Sequence, residues 1–211
     1  RFDALNIDVT EENRRSYRDM LVSANSLSDY ISGAILFDET IRQKTSDGST
    51  FPDYLNKVGI IPGIKVDTGA KPFSSHPNEK ITEGLDNLPE RMKEYSSLGA
   101  KFAKWRAVIT IGENIPSSAC MLANSHALAR YASICQEINI VPIVEPEVLM
   151  DGSHNINKCF EVTNTMQSIL FETLDKLDIN FSGIILKPNM ITPGASCVEK
   201  SSPEELSLIH I

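Results

Sequence analysis

The sequence predicts an α/β fold built on a parallel sheet. Five short apolar runs are separated by stretches of helical periodicity, and each run begins near-continuously apolar and turns polar toward its C-terminal end. A strand buried on both faces reads this way. The chain has 211 residues, 41% hydrophobic and 23% charged, the size and balance of one globular core.

In chain order, Thr10 is placed to cap a helix that starts at Glu11 and Glu12 and continues through Arg14, Arg15 and Tyr17. The first apolar run is 33–37 (GAILF) and the second is 61–67 (IPGIKVD). Between 68 and 84 lies a stretch rich in Gly, Pro and Ser, expected to be a long functional loop with a solvated centre at 71–80. Asn87 with Pro89 marks a further helix start. The third run, 102–108 (FAKWRAV), precedes a helix entered at Pro116 with Met121, Leu128, Ala132 and Cys135 on one face. The fourth run is 141–148 (VPIVEPEV). Cys159, Val162, Met166, Ile169, Thr173 and Leu177 form the apolar stripe of the next helix, and 184–189 (IILKPN) is the fifth run. Ser202, Pro203, Glu204 and Glu205 open a last helix.

Strand alternating with helix implies βαβ units. Two closures fit, an open doubly wound sheet and an eight-stranded barrel. The absence of a Gly-rich turn after the first strand weakens the dinucleotide-binding version of the former. A formal charge of −8 excludes a general nucleic-acid binder, though not a small basic pocket. No apolar run approaches the ~20 residues of a membrane span. Cys120, Cys135, Cys159 and Cys197 are widely spaced, which suits reduced thiols in the cytoplasm.

On four strands the polar residues share one parity: Lys65 with Asp67, Lys104 with Arg106, Glu145 with Glu147, and Lys187 with Asn189. Side chains alternate across a strand, so each pair is expected on one side. A single pair is explained by a strand end reaching solvent. Four in succession point to a shared site, because buried charges are costly unless they serve one another or a ligand. Four cations against three anions make a slightly positive mouth suited to a phosphorylated anion. A lysine beside an apolar run or another cation can act as a nucleophile. Lys187 follows Ile184, Ile185 and Leu186, and Lys104 is a candidate for the neighbouring cation. Lys187 is then placed to form an iminium, with Glu145 moving protons.

The motifs GIKVD, FAKWRAV, VPIVEPE and LKPNM followed by TPG together resemble class I fructose-bisphosphate aldolase. TEENRR at 10–15, ILF with ET at 35–40, and LARYASICQ at 128–136 agree. The resemblance covers residue 1 to about residue 206. It implies that Lys187 is the Schiff-base lysine, Glu145 the general acid/base, Glu147 its support in the proton network, and Lys104 an assistant that also contacts substrate. Lys65 and Arg106 are implied near the substrate and its phosphate, and Arg1 against a phosphate.

The resemblance further implies a (β/α)8 barrel of which the sequence holds about strands 2–6, with first and last strands missing. Residues 1–206 are then a partial barrel domain, and 207–211 (SLIHI) a tail that is not native continuation. It also implies a phosphorylated sugar substrate, a homotetramer, cytoskeletal actin binding, and a reaction without metal or cofactor. Alternatives are another Schiff-base barrel, such as a transaldolase, and a non-catalytic truncated form that binds protein. His76, His126, His154 and His210 show no metal-ligand spacing. Trp105 has the parity opposite to Lys104 and is expected between sheet and helices.

Overall fold

The computed structural model describes residues 2–211. Its main sheet has five strands: β1 (Gly33–Leu36), β2 (Ile61–Lys65), β5 (Phe102–Ile109), β6 (Val141–Val148) and β7 (Ile185–Leu186). They lie in the order β1-β2-β5-β6-β7, and every neighbouring pair is parallel. The order never reverses. Right-handed crossovers in an unreversed sheet all fall on one face, as in a barrel wall, whereas a doubly wound sheet needs a switch point. Among the described residues the sheet is open, with β1 and β7 at its edges.

The helices are α1 (Glu11–Val22), α2 (Asp38–Ile41), α3 (Phe51–Lys57), α4 (Leu88–Ser97), α5 (Ser118–Glu137), α6 (Ile156–Lys176) and α7 (Pro203–Ile209). Their starts follow local chemistry. Thr10, Thr50, Ser117 and Asn155 each accept a backbone N–H from the first turn, and Ser202 with Glu205 forms a reciprocal capping box. Alternation then sorts the strand residues. Ile64, Ala103, Trp105, Ala107, Ile109, Val144 and Val148 face the helices and are buried with Leu128, Tyr131, Met166 and Leu170. On the other face Ile35, Ile61, Val141 and Ile185 are exposed. Phe102 covers part of that face; its ring lies where a side chain on Gly63 would stand, which is why β2 carries a glycine there.

Trp105 is fully buried and stacks on Tyr131 with ring centroids 5.6 Å apart, as its parity requires. Three expectations need correction. The stretch 68–84 is a β-hairpin rather than a loop, with β3 (Gly69–Pro72) antiparallel to β4 (Lys80–Glu83). Its lysines and prolines hide a strand pattern, and a two-stranded ribbon half in water needs no apolar alternation. The short helices α2 and α3 went unanticipated because four and seven residues are too few to show a period. The fifth apolar run pairs with β6 only at Ile185 and Leu186, since Pro146 of β6 has no N–H to give to the Lys187 carbonyl.

Glu39 joins α1 to α2, accepting from Arg14 at 2.5 and 3.0 Å and from Arg18 at 2.5 Å. These two guanidinium groups hold its carboxyl down at about 2, from an ordinary 4.5. A depressed folded-state value stabilises above the unfolded value and loses that stabilisation as pH falls from about 4.5 through about 2. In the full-length protein that carries this chain, Glu39→Gln is expected to lower the melting temperature at pH 7 by about 2 °C, the effect of roughly 1 kcal/mol from part-exposed pairs. The gap to the parent narrows toward pH 2. A pH-independent gap in thermal melts would assign the effect to packing instead.

Candidate functional site

The charged residues gather at the C-terminal ends of β2, β5, β6 and β7, away from the apolar hollow at the opposite ends of the strands, lined by Gly33, Ile61, Phe102 and Val141. Strand register brings them together. Lys65 stands beside Lys104, Arg106 beside Glu145, and Val108 beside Glu147. Each cation of β5 reaches the carboxylate two residues further along β6: Lys104 to Glu145 at 3.1 Å, and Arg106 to Glu147. Leu186 pairs with Val144, so the next residue on each strand is Lys187 and Glu145, and these two also form an ion pair.

Glu145 is the centre of the cluster. Its side chain is 4% exposed and lies between two ammonium groups, Lys187 on Oε1 and Lys104 on Oε2. The Lys104 contact is an ion pair by distance without hydrogen-bond alignment, so Oε2 has no aligned donor. Lys104 is 14% exposed and Lys187 is 55% exposed. The three residues therefore form a graded stack, with the amine of Lys187 open to an incoming molecule. The apolar run before Lys187 does not enclose it, contrary to expectation; a carboxylate and solvent surround it instead.

Asp67 organises the β2 side. Its Oδ1 accepts from Lys65 Nζ at 2.5 Å and from the Gly69 N–H at 3.1 Å, and its Oδ2 accepts from the Arg106 N–H at 3.4 Å. Glu147 keeps the Arg106 guanidinium protonated beyond its ordinary range, chiefly through their hydrogen bond. The hairpin is fastened over the end of β5. Thr82 Oγ1 donates to the Arg106 carbonyl at 2.8 Å, and Asn124 of α5 bonds Thr82 N–H at 3.1 Å and the Lys80 carbonyl at 3.0 Å.

Lys65, Lys104, Arg106, Glu145, Glu147 and Lys187 thus converge as the sequence predicts. The excess positive charge resides on the two-lysine group around Glu145. Asn189 departs from the predicted parity. Its side chain bonds Val148 N–H and Thr163 Oγ1 of α6, because alternation stops where strand pairing ends. Arg1 lies outside the described residues. Thr82 and Asn124 were not singled out; a lone Thr and a mid-helix Asn carry no sequence signal, although a buried polar residue on an otherwise apolar helix face is a hint. Among the described residues no three His, Cys, Asp or Glu side chains converge as a metal site. His126 is exposed on α5, and His210 accepts from the Ile191 N–H at 2.8 Å.

A family model described as fructose-bisphosphate aldolase class-I matches residues 1–211. A probable fructose-bisphosphate aldolase class 1 of Xanthomonas axonopodis is 58% identical over 207 residues, covering 98% of this chain and 62% of that protein. Fructose-bisphosphate aldolase 1 of Toxoplasma gondii is 48% identical, covering 100% of this chain and 59% of that protein. Among solved structures, fructose-bisphosphate aldolase of Plasmodium falciparum in complex with TRAP and a small-molecule inhibitor superposes with a TM-score of 0.95 at 44% identity. It covers 99% of this chain and 60% of that one. The chain therefore spans about three fifths of the length of these relatives.

Replacing the shared carboxylate isolates the site's electrostatics. Glu145→Gln leaves the enclosed Lys104 ammonium without a counter-charge, and the expected destabilisation is about 2–3 kcal/mol, the exposed Lys187 adding little. Glu147→Gln, whose partner Arg106 reaches solvent, is expected to cost under about 1 kcal/mol. Urea denaturation of the two variants in the full-length protein that carries this chain measures both, and equal costs would remove Glu145 from the centre.

Proposed function

The chain belongs to the class-I fructose-bisphosphate aldolase family, and we propose that the protein carrying it cleaves fructose 1,6-bisphosphate reversibly into glycerone phosphate and glyceraldehyde 3-phosphate, in glycolysis, through an imine at Lys187. One observation supports this reading most. A solvent-open amine shares a buried carboxylate with a second, enclosed amine.

In the proposed reaction Lys187 Nζ adds to the substrate ketone, forming an N–C bond and a carbinolamine. Glu145 takes the proton that the Lys187 ammonium must lose to react and delivers it to the departing hydroxyl, which leaves as water, and the iminium remains. The bond between the α and β carbons, counted from the imine carbon, then breaks: the β-hydroxyl gives its proton to the Glu145 carboxylate, the electron pair passes into the iminium, and an enamine and a free aldehyde result. Protonation and hydrolysis of the enamine release the ketone and restore the amine. Lys104 holds positive charge beside Glu145 throughout. Lys65 and Arg106, near the substrate and its phosphate, and Arg1, against a phosphate, are assigned from the family resemblance. Glu147 acts through Arg106.

The family match favours this over a transaldolase or a deoxyribose-phosphate aldolase. We further propose a homotetramer in the cytoplasm. A 46% identical relative in Arabidopsis thaliana is named cytosolic, and no described helix is long and apolar enough to cross a membrane. The Plasmodium falciparum relative was solved with TRAP. That supports a second reading in which the surface also receives a protein, and actin co-sedimentation tests its cytoskeletal version.

Borohydride trapping with glycerone phosphate is expected to label Lys187 and no other lysine, by peptide mapping. A label on Lys104 or Lys65 would sink the assignment. In the same protein Glu145→Gln is expected to slow turnover by about 10²–10⁴-fold, the usual range for losing a general acid/base. Residues 1–211 made alone are expected to show no fructose 1,6-bisphosphate cleavage and no cooperative thermal unfolding. The exposed inner face (Ile35, Ile61, Val141, Ile185) and two unpaired strand edges are the cause. Turnover with a cooperative melt would refute the partial-barrel domain proposed for residues 1–206.

A further inference from the structure

We propose that Asn189 is a positioning residue for the Lys187 amine, its side chain standing in for strand pairing that Pro146 interrupts. The inference rests on the Schiff-base reading of Lys187. Strand pairing between β6 and β7 is short. Its last backbone bond runs from the Lys187 N–H to the Val144 carbonyl at 2.9 Å. In a parallel pair every second residue turns its backbone toward the same neighbour, so after Val144 the next two on this side are Pro146 and Val148. Pro146 has no N–H to give to the Lys187 carbonyl. The segment after Lys187 would therefore leave the sheet unsecured at the residue whose side chain must meet Glu145.

Asn189 supplies the missing bonds. Its Oδ1 accepts the Val148 N–H at 3.1 Å, which extends the β6 pairing by a side-chain link. Its Nδ2 donates to Thr163 Oγ1 at 3.1 Å, and Thr163 is a buried residue of α6. The same nitrogen donates to the Met190 carbonyl at 3.0 Å, closing the local turn. One amide thus ties the strand end to β6 and to α6 at once. The amide does so with an acceptor toward β6 and a donor toward α6; a carboxylate keeps the first bond and can accept the Thr163 hydroxyl in the second. Lys187 is then bracketed by a backbone bond at its own N–H and a side-chain bond two residues on. This limits how far its Cα can drift from Glu145. Asn189 itself is 3.1 Å from groups of β6 and α6 and makes no contact with the Lys187 amine, so its effect is exerted through the backbone.

The test uses the full-length protein that carries this chain, with Asn189→Leu, Asn189→Ala and Asn189→Asp. Leu keeps much of the volume and neither bond, Ala leaves room for a water at Val148 N–H, and Asp keeps the acceptor. The readouts are the rate of borohydride trapping with glycerone phosphate per folded molecule, kcat and KM, and the melting temperature. Asn189→Leu is expected to slow trapping and kcat by about 10–10²-fold, the scale of a misplacement near 1 Å, with KM changed less than about 3-fold. Asn189→Asp is expected to restore most of the rate. A merely structural role would lower the folded fraction without changing the rate per folded molecule. Wild-type trapping rates in folded Asn189→Leu overturn the proposal, as does an Asp variant no faster than Leu. If the Leu variant does not fold, Asn189→Ala decides by the same criterion. Absence of any Lys187 label in the unsubstituted protein fails the functional reading instead, independently of Asn189.

Discussion

A carboxylate taken out of water must be compensated, and that requirement at Glu145 governs the arrangement of three strands. Its side chain is almost fully enclosed, and desolvating an ion costs several kcal/mol unless opposite charge and hydrogen bonds stand close by. Compensation comes from both neighbouring strands, Lys104 on β5 and Lys187 on β7. A one-residue slip of either strand would turn its lysine to the helix-facing side and leave Glu145 with one ammonium instead of two. The site and the register of the sheet therefore secure each other.

Most of the framework could be foreseen from local patterns, because the elements that form it are long enough to show a period. β5 and β6, each eight residues, carry their charges at every second position, so the placement of Trp105 against the helices and of Lys104, Arg106, Glu145 and Glu147 on the other face followed from parity. The caps of α1 and α7 follow from one or two residues each. Sheet closure was not legible, since a run of βαβ units is common to both architectures. It is the spatial order of the strands that separates them, and order is a long-range property.

The failures share a cause as well. Parity holds only while a strand remains paired, and β7 stops at Leu186, so extending alternation to Asn189 assigned it to the wrong side. The hairpin formed by β3 and β4 has one intermediate-to-exposed strand, GAKP, whose composition is that of a turn. What orders it lies elsewhere in the chain: Asn124 of α5, the Arg106 carbonyl, and the Ser117 N–H that bonds Glu79 at 2.7 Å. Local propensity cannot report a partner 40 residues away.

The same geometry explains why the outer lysine rather than the inner one suits covalent chemistry. Lys104 and Lys187 address different oxygens of Glu145, so they do not compete for one position. When Lys187 joins a carbonyl in the proposed reaction, Oε1 is released to handle a proton, while Oε2 remains beside the Lys104 ammonium. The buried carboxylate is never without a counter-charge at any step. Reversing the roles would require a substrate to pass Lys187 to reach an amine only 14% exposed, and would leave the compensating charge on the solvent side, where screening weakens it. In the proposed reaction depth within the stack thus divides the labour, placing the fixed charge where the dielectric is low and the reacting amine where a substrate arrives.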